Sequence, residues 1–315
     1  MNPNENEKKI SIVVPVYNEE KGIPELIKQL TLFTKKTSFY QFELILVENG
    51  SNDNSFALLQ KYAKKDTRIK IVQLSRNFGC DVGITAGIKY ATGDACVILM
   101  ADMQEPVELI SGFIKKWEEG FEIVYGIVRK RRGGLIRNIA SRFFYQLINL
   151  INHTKFPQNA SDFRLIDRKV CETINQMPEQ NKYLRGLIMW TGFSHIGIPF
   201  DRKKRFAGES KADLITIIYV ALNGIFSFSY LPLRLVSYLG IIVTIFSFLS
   251  GIFYLALFFI YGRVAPGAAT IILITLFLFG ILFFILGVIS EYIARIYEEV
   301  KRRPNFIIKK TLNFE

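Results

Sequence analysis

Four short polar segments each follow an apolar run in the first third of the chain: Pro15-Val16-Tyr17-Asn18-Glu19, Glu48-Asn49-Gly50-Ser51, Ser75-Arg76-Asn77 and Ala101-Asp102-Met103-Gln104. Their carboxylates, amides and hydroxyls are the groups that hold the base and ribose of a nucleotide. A helix beginning near Asn18 would offer its positive end to an anion, and an acidic turn at Asp102 would suit a hard cation such as Mg²⁺. One turn rich in Asn, Gly, Ser and Asp is commonly only a turn. Four in series point to a nucleotide pocket. Neither a Gly-rich dinucleotide fingerprint nor a Walker A sequence is present, which argues against a dehydrogenase or an ATPase.

The elements that must carry these segments alternate. Apolar runs at 10–14, 43–47, 69–74, 95–100 and 123–126 read as strands, and amphipathic stretches at 20–33, 55–64, 82–90 and 107–118 read as helices. Strand and helix in alternation predict an α/β domain with a parallel sheet covered on both faces. Ligands of such sheets bind beyond the carboxyl ends of the strands, where the four polar segments fall.

Two apolar stretches, about 235–261 and 268–293, exceed the roughly 20 residues that cross a bilayer, and neither holds an internal Lys, Arg or Asp. They read as a transmembrane hairpin, because the connector Gly262-Arg263-Val264-Ala265-Pro266-Gly267 is short and broken by Gly and Pro. Arg202, Lys203, Lys204, Arg205, Lys211 and Arg234 precede the hairpin, and Arg295, Lys301, Arg302, Arg303, Lys309 and Lys310 follow it. The positive-inside rule then places the head and both termini in the cytoplasm, at an inner or plasma membrane. The N-terminal residues are polar and do not read as a signal peptide. A net charge of +12 fits either anionic lipid or nucleic acid, and its concentration beside the apolar stretches favours lipid over nucleic acid. Cys80, Cys96 and Cys171 match neither a disulfide framework nor a zinc site and read as buried thiols, and His153 and His195 read as structural.

The order and spacing of Val13-Val14-Pro15-Val16-Tyr17-Asn18-Glu19-Glu20, Val47-Glu48-Asn49-Gly50-Ser51, Arg76-Asn77-Phe78-Gly79, Ala101-Asp102-Met103-Gln104-Glu105-Pro106, Ser161-Asp162-Phe163-Arg164-Leu165 and Arg205-Phe206-Ala207-Gly208-Glu209-Ser210-Lys211 carry a resemblance. The chain resembles the polyprenyl-phosphate glycosyltransferases of glycosyltransferase family 2, of the bactoprenol glucosyltransferase and dolichol-phosphate mannose synthase type. The likeness runs from about residue 10 to the C-terminus. It implies a GT-A fold, Rossmann-like with a mostly parallel sheet, that moves a hexose with inversion from a nucleotide diphosphate sugar to a polyprenyl phosphate. UDP-glucose is the first donor it suggests, and a lipid-linked sugar for cell-envelope glycans the product.

By position in that family, Pro15, Tyr17, Glu19 and Glu48 match the nucleotide-binding turns, to which Asn18, Asn49, Gly50, Ser51, Arg76 and Asn77 are added as neighbours. Asp102 and Gln104 match the metal and diphosphate site, for Mg²⁺ or Mn²⁺, and Asp162 matches the acid beside the donor sugar. The resemblance makes Asp102 and Asp162 catalytic, the latter with base or orienting role open, and Arg164 is an ion-pair partner for it. Arg205, Ser210 and Lys211 match the segment near the acceptor. Arg131 and Arg132, in the basic run after residue 126, and Arg137 are further cations for lipid phosphate or for the leaving diphosphate.

Two departures stand out. Met100-Ala101-Asp102 replaces the usual Asp-x-Asp, and Glu48-Asn49-Gly50-Ser51 replaces Asp-Asp-Gly-Ser. Mg²⁺ binds through one or two carboxylates plus substrate phosphates, so weaker metal binding is expected rather than a dead enzyme. A non-catalytic or donor-divergent relative, binding lipid or nucleotide as a subunit, is the alternative that Met100 supports. The expected organisation is a cytosolic domain over 1–229 with interfacial helices near 135–152 and 211–228, two membrane helices within 230–296, and a tail over 297–315. The apolar part of the tail, 304–308, reads as one more strand, open to pairing with another protomer, and a homo-oligomer through the terminal helices is compatible with the sequence.

Overall fold

The computed structural model describes residues 8–129, 157, 159–180, 182–203, 231–262 and 267–314. The expected interfacial helices, together with Arg131, Arg132, Arg137, Arg205, Ser210 and Lys211, lie outside the described residues. Two compact units are present: Met1–Gly224 with Arg303–Glu315, and Ile225–Arg302.

The first unit begins with β1 (Lys9–Val16), α1 (Ile23–Lys36), β2 (Gln41–Glu48), α2 (Ser55–Ala63), β3 (Ile69–Leu74), α3 (Cys80–Tyr90), β4 (Ala95–Ile98), α4 (Leu109–Glu118) and β5 (Ile123–Val128). It continues with β6 (Ala160–Asp167), α5 (Arg168–Gln176), α6 (Leu184–Trp190) and β7 (His195–Phe200), and it ends with β8 (Ile308–Leu312). All five expected strands and all four expected helices of the first 128 residues are present, and the expected α/β class holds. One sheet runs in the order β7-β5-β6-β4-β1-β2-β3-β8.

β1 reads Ile-Ser-Ile-Val-Val-Pro-Val after its first residue and is buried throughout that run, as a parallel strand covered on both faces must be. It pairs in parallel with β2 on one side and β4 on the other. The order of strands therefore reverses between β1 and β4, and a crevice opens beyond their carboxyl ends. Helix α3 lies close against this centre, since a Cβ at Gly87 would fall 2.3 Å from Val13 Cγ1. Only glycine allows that approach.

β6 is antiparallel to β4 and β5. Its ladder with β4 runs from Ala95↔Asp167 to Ile98↔Arg164, so Asp162, two residues earlier, lies where β4 runs into its own terminal turn. The reversal of this one strand brings an acid from the middle of the chain to the crevice.

The tail strand falls at Ile308–Leu312 rather than 304–308, and it pairs antiparallel with β3 of its own chain. Pro304 cannot donate to a ladder, while Ile308 and Leu312 pair with Leu74 and Ile71 of β3. Asn313 Nδ2 donates to the carbonyls of Ala63 and Ile69, both at 2.8 Å, and the Ser75 N–H donates to the Ile307 carbonyl at 2.9 Å. A second correction concerns Cys80, which is exposed because it opens α3 at the turn, while Cys96 and Cys171 are buried; all three are free thiols.

The second unit holds α7 (Leu231–Tyr261) and α8 (Ala268–Lys301), which contact each other. At 31 and 34 residues they are about 46 and 51 Å long, against a hydrocarbon layer of about 30 Å. Their most apolar windows have a mean hydropathy of 2.4 and none of either window is buried. Both are long and apolar enough to cross a membrane.

Candidate active site

The first two turns lock into one another. The Asn18 N–H donates to Ser51 Oγ at 3.0 Å, the Asn52 N–H donates to Asn18 Oδ1 at 2.8 Å, and the Glu19 N–H donates to Ser55 Oγ at 3.0 Å. Asn18 takes a left-handed backbone with φ 53°, which asparagine tolerates better than most residues. Glu48 is buried and accepts from the Ser51 N–H. Pro15 is buried beneath the turn, and Tyr17 is half-buried beside it.

Asn49 carries the lock onward to the third turn. Its Oδ1 accepts from the Phe78 N–H at 3.0 Å, and its Nδ2 donates to the Gly79 carbonyl at 2.9 Å. Gly50, at φ 67°, lets β2's turn touch the next one: a Cβ there would stand 2.4 Å from the backbone carbon of Arg76. Arg76 stacks over the Phe78 ring at 4.0 Å and donates to the Asn77 carbonyl, while Asn77 Oδ1 accepts from the Gly79 N–H. The amide of Asn49 and the hydroxyl of Ser51 thus hold backbone in place.

In the fourth turn Asp102 Oδ1 accepts from the Gln104 N–H at 3.2 Å, and Met103 is buried with φ 57°. The Lys203 N–H donates to the Gln104 carbonyl at 2.9 Å. Glu105, next in line, is buried; its Oε1 accepts from Ser161 Oγ at 3.2 Å and from Arg202 Nη2 at 3.1 Å. Burial pushes its carboxyl up to about 7 against the opposing pull of Arg202. This buried acid ties the Asp102 turn to β6 and to the segment after β7. Among the described residues no group of three or more His, Cys, Asp or Glu side chains could hold a metal ion.

Asp162 is gripped from the side. Arg185 Nε lies 3.0 Å from its Oδ1 and Arg185 Nη2 lies 2.6 Å from its Oδ2, a bidentate pair. Arg164 Nη2, from the same strand as Asp162, is 3.8 Å from Oδ1. Burial alone would raise the carboxyl, but Arg185, with Arg164 and Arg202, more than offsets it and holds Asp162 below the ordinary carboxylate range. Asp162 is therefore a carboxylate at neutral pH and a poor proton acceptor. Asp81, in the first turn of α3, faces the same group; burial, then the charge of Asp162, pushes it up to about 6, and its Oδ2 accepts from the Leu184 N–H at 3.4 Å. Asp81, Asp162, Arg164 and Arg185 line one small cavity, with room for about one water.

The β1, β2, β3 and β4 turns and Asp162 thus converge on one edge of the sheet. Arg164 is the expected partner of Asp162 only at 3.8 Å; the closer partner, Arg185, sits on α6, 23 residues beyond it and outside every motif. Asp81, Glu105 and Arg202 likewise carried no local signal of their roles. Of the basic run after β5, Arg129 is described, 3.5 Å from Asp201. His195 is exposed, with its ring near Tyr125.

Comparison with known proteins places this sequence in a family. Residues 11–174 match the model of Glycosyl transferase family 2. The chain is 41% identical over 308 residues to an uncharacterized glycosyltransferase, YkcC, of Bacillus subtilis (strain 168), covering 97% of this chain and 94% of that one. It is 36% identical over 304 residues to the bactoprenol glucosyl transferase of Shigella phage SfII, covering 96% of this chain and 98% of that one. Among solved structures, glucosyl-3-phosphoglycerate synthase of Mycobacterium tuberculosis, in complex with Mn2+, UDP and phosphoglyceric acid, aligns with a TM-score of 0.48 at 16% identity, covering 68% of this chain and 75% of that one. The chain belongs to glycosyl transferase family 2.

Proposed function

We propose that this glycosyltransferase moves a hexose, with inversion, from a nucleotide diphosphate sugar to a polyprenyl phosphate at the cytoplasmic face of a plasma or inner membrane. The observation that carries the reading is the convergence of four polar turns and an ionised Asp162 on one sheet edge, in a chain whose other unit is two unburied apolar helices. The similarity to a phage bactoprenol glucosyl transferase over nearly all of both chains supports a polyprenyl phosphate acceptor and UDP-glucose as the first donor to test. The chain leaves its first unit, runs through the two helices and re-enters the same unit as β8, which supports both outer ends of the hairpin lying on one side. With the flanking Lys and Arg, that side is cytoplasmic.

In the reaction a phosphate oxygen of the lipid bonds to the anomeric carbon as the bond to the donor's diphosphate breaks. The nucleotide diphosphate leaves with the electron pair. A phosphate monoester has its second pKa near 6, so the nucleophile is largely ionised at neutral pH and needs no strong base. The held carboxylate of Asp162 then orients sugar hydroxyls by accepting hydrogen bonds. Tyr17, Asn18, Glu19, Glu48 and Arg76 hold the nucleotide from the β1–β3 side, with Pro15, Asn49, Gly50, Ser51 and Asn77 fixing the turns. Arg131, Arg132, Arg137, Arg205, Ser210 and Lys211 serve the acceptor phosphate.

Asp102 and Gln104 offer two hard oxygen ligands, which fits Mg²⁺ or Mn²⁺ held jointly with the donor's phosphates. When bound, the ion would stabilise the charge growing on the leaving diphosphate. Met100 favours a second reading, a non-catalytic or donor-divergent relative, because it removes one of two carboxylates. Nucleotide release separates the two: with UDP-glucose, UDP should appear in proportion to added undecaprenyl phosphate and not with the parent alcohol. Nucleotide binding without release from any sugar nucleotide would favour the second reading.

A further inference from the structure

Glu105 is buried, yet one of its oxygens does all the bonding: Oε1 accepts from Ser161 Oγ at 3.2 Å and from Arg202 Nη2 at 3.1 Å. Its Oε2 is buried with no hydrogen-bond partner among the described residues. A carboxylate with one bare oxygen gains little from burial, and a buried ion pair is weak support for stability. What Glu105 holds explains its place better. Ser161 directly precedes Asp162, and its hydroxyl also accepts from the Phe163 N–H at 3.2 Å. One oxygen therefore sets Arg202 against the stretch of β6 that carries Asp162, and the charge of Arg202 reaches Asp162 itself.

The sheet brings Arg202 to this point from far along the chain. β7 is parallel to β5, and β5 and β4 are both antiparallel to β6, so β7 ends at the same sheet edge as β4. Residues 201–203 then reach the β4 turn, where the Lys203 N–H donates to the Gln104 carbonyl. With 42% of its side chain exposed, Arg202 is open to a ligand, and among the described residues Glu105 is the group that pairs with it.

We propose that Arg202, aimed by Glu105, binds the diphosphate of the sugar donor at the Asp102 turn. The inference rests on the transferase reading and deepens it, adding a cation to the donor's partners and a positioning residue behind it. One guanidinium nitrogen is spent on Glu105, and the rest of the fork keeps donors for phosphate oxygens. The leaving diphosphate carries more negative charge than one divalent cation offsets, and a guanidinium at that turn takes part of the remainder. Position selects this phosphate over that of the lipid. The segment carrying Arg202 is bonded to Gln104, in the turn that the metal and the diphosphate share in this reading.

The test is equilibrium binding to the purified full chain in detergent with Mg²⁺, using UDP, uridine and farnesyl monophosphate as separate probes, for wild type, Arg202→Gln, Glu105→Gln and the double variant. Arg202→Gln should weaken UDP about 10-fold or more, with uridine and farnesyl monophosphate unchanged within about 2-fold. Glu105→Gln keeps the shape but loses the charge that aims the guanidinium, and it should weaken UDP about 3-fold. The double variant should bind UDP no more weakly than Arg202→Gln, because Glu105 acts on UDP only through Arg202. If Arg202→Gln does not fold with Glu105 stranded, the double variant, which removes both charges, reads the same selective loss. Unchanged UDP affinity in a folded variant lacking Arg202 would overturn the proposal. So would a loss of uridine in step with UDP, a loss confined to farnesyl monophosphate, or a Glu105→Gln effect that adds in full to that of Arg202→Gln. Because no turnover is read, a chain that transfers no sugar yet shows the selective loss would defeat the transferase reading and leave this site standing.

Discussion

Arg185 and Asp162 meet through two parallel hydrogen bonds, 3.0 and 2.6 Å, although one lies on a helix and the other on a strand that runs against its neighbours. The pair fixes the charge state of the acid at the centre of the site. Asp162→Asn keeps the shape, removes the charge and leaves Arg185 and Arg164 facing a neutral amide. Transfer should fall about 100-fold or more while UDP affinity stays within a few-fold. In the wild type, the acid limb of kcat/KM should lie near pH 6, where the acceptor phosphate titrates, because Asp162 is held below the ordinary carboxylate range. A limb governed by a group titrating well above that, and abolished by Asp162→Asn, would make Asp162 a base.

The metal assignment rests on the Asp102 turn. Asp102→Asn should abolish metal-stimulated transfer, and Met100→Asp should lower the Mg²⁺ concentration for half-maximal rate several-fold by restoring a second carboxylate. Wild-type rates both after EDTA and after Asp102→Asn would contradict the assignment.

Stability at acid pH should depend on Glu43, far from the site. Burial would raise this carboxyl, but Ser11 Oγ at 2.6 Å, the Thr92 N–H at 2.7 Å, Lys70 at 2.9 Å and Lys9 at 3.2 Å hold it at about 2, down from 4.5. A depressed folded-state pKa contributes stability above pH 4.5 that is lost as pH falls toward 2. From that shift the contribution is roughly 3 kcal/mol. Glu43→Gln should therefore lower the unfolding temperature clearly at pH 7, and the gap from wild type should narrow below pH 4.5. A gap independent of pH would place the effect in packing instead.

The tail should matter to the nucleotide turn. Asn313 spends both Nδ2 bonds on the carbonyls of Ala63 and Ile69 and has φ 60°, so Asn313→Ala loses the bonds and adds left-handed strain, about 2 kcal/mol together. Since the Ile307 carbonyl accepts from the Ser75 N–H, loosening β8 should also weaken UDP binding several-fold. UDP affinity unchanged by Asn313→Ala, with stability lowered, would confine β8 to covering the sheet edge.

The part of this architecture visible in the sequence is the part built from local pattern. Continuous apolar runs such as Ile10–Val14 mark strands buried on both faces, and polar turns after them mark the edge where ligands gather. The missing part depends on return paths. Arg185 looks like any arginine in a mixed stretch until β6 runs antiparallel and α6 folds back over it. β8 lies a few residues later than the apolar run 304–308, because its place is set by the ladder to β3, which pairs Leu74 with Ile308 and Ile71 with Leu312. Asn49 and Ser51 carry the chemistry of ligand contacts, yet their hydrogen bonds go to neighbouring turns, a use that only the packed third turn reveals.

The most direct measurement is transfer of radiolabel from a panel of sugar nucleotides, UDP-glucose first, into chloroform-soluble lipid by the purified chain with undecaprenyl phosphate, with and without Mg²⁺. The account predicts labelled lipid from one donor, dependent on the lipid phosphate and lost in Asp162→Asn. No labelled lipid from any donor, by a folded chain that binds nucleotide, would contradict it.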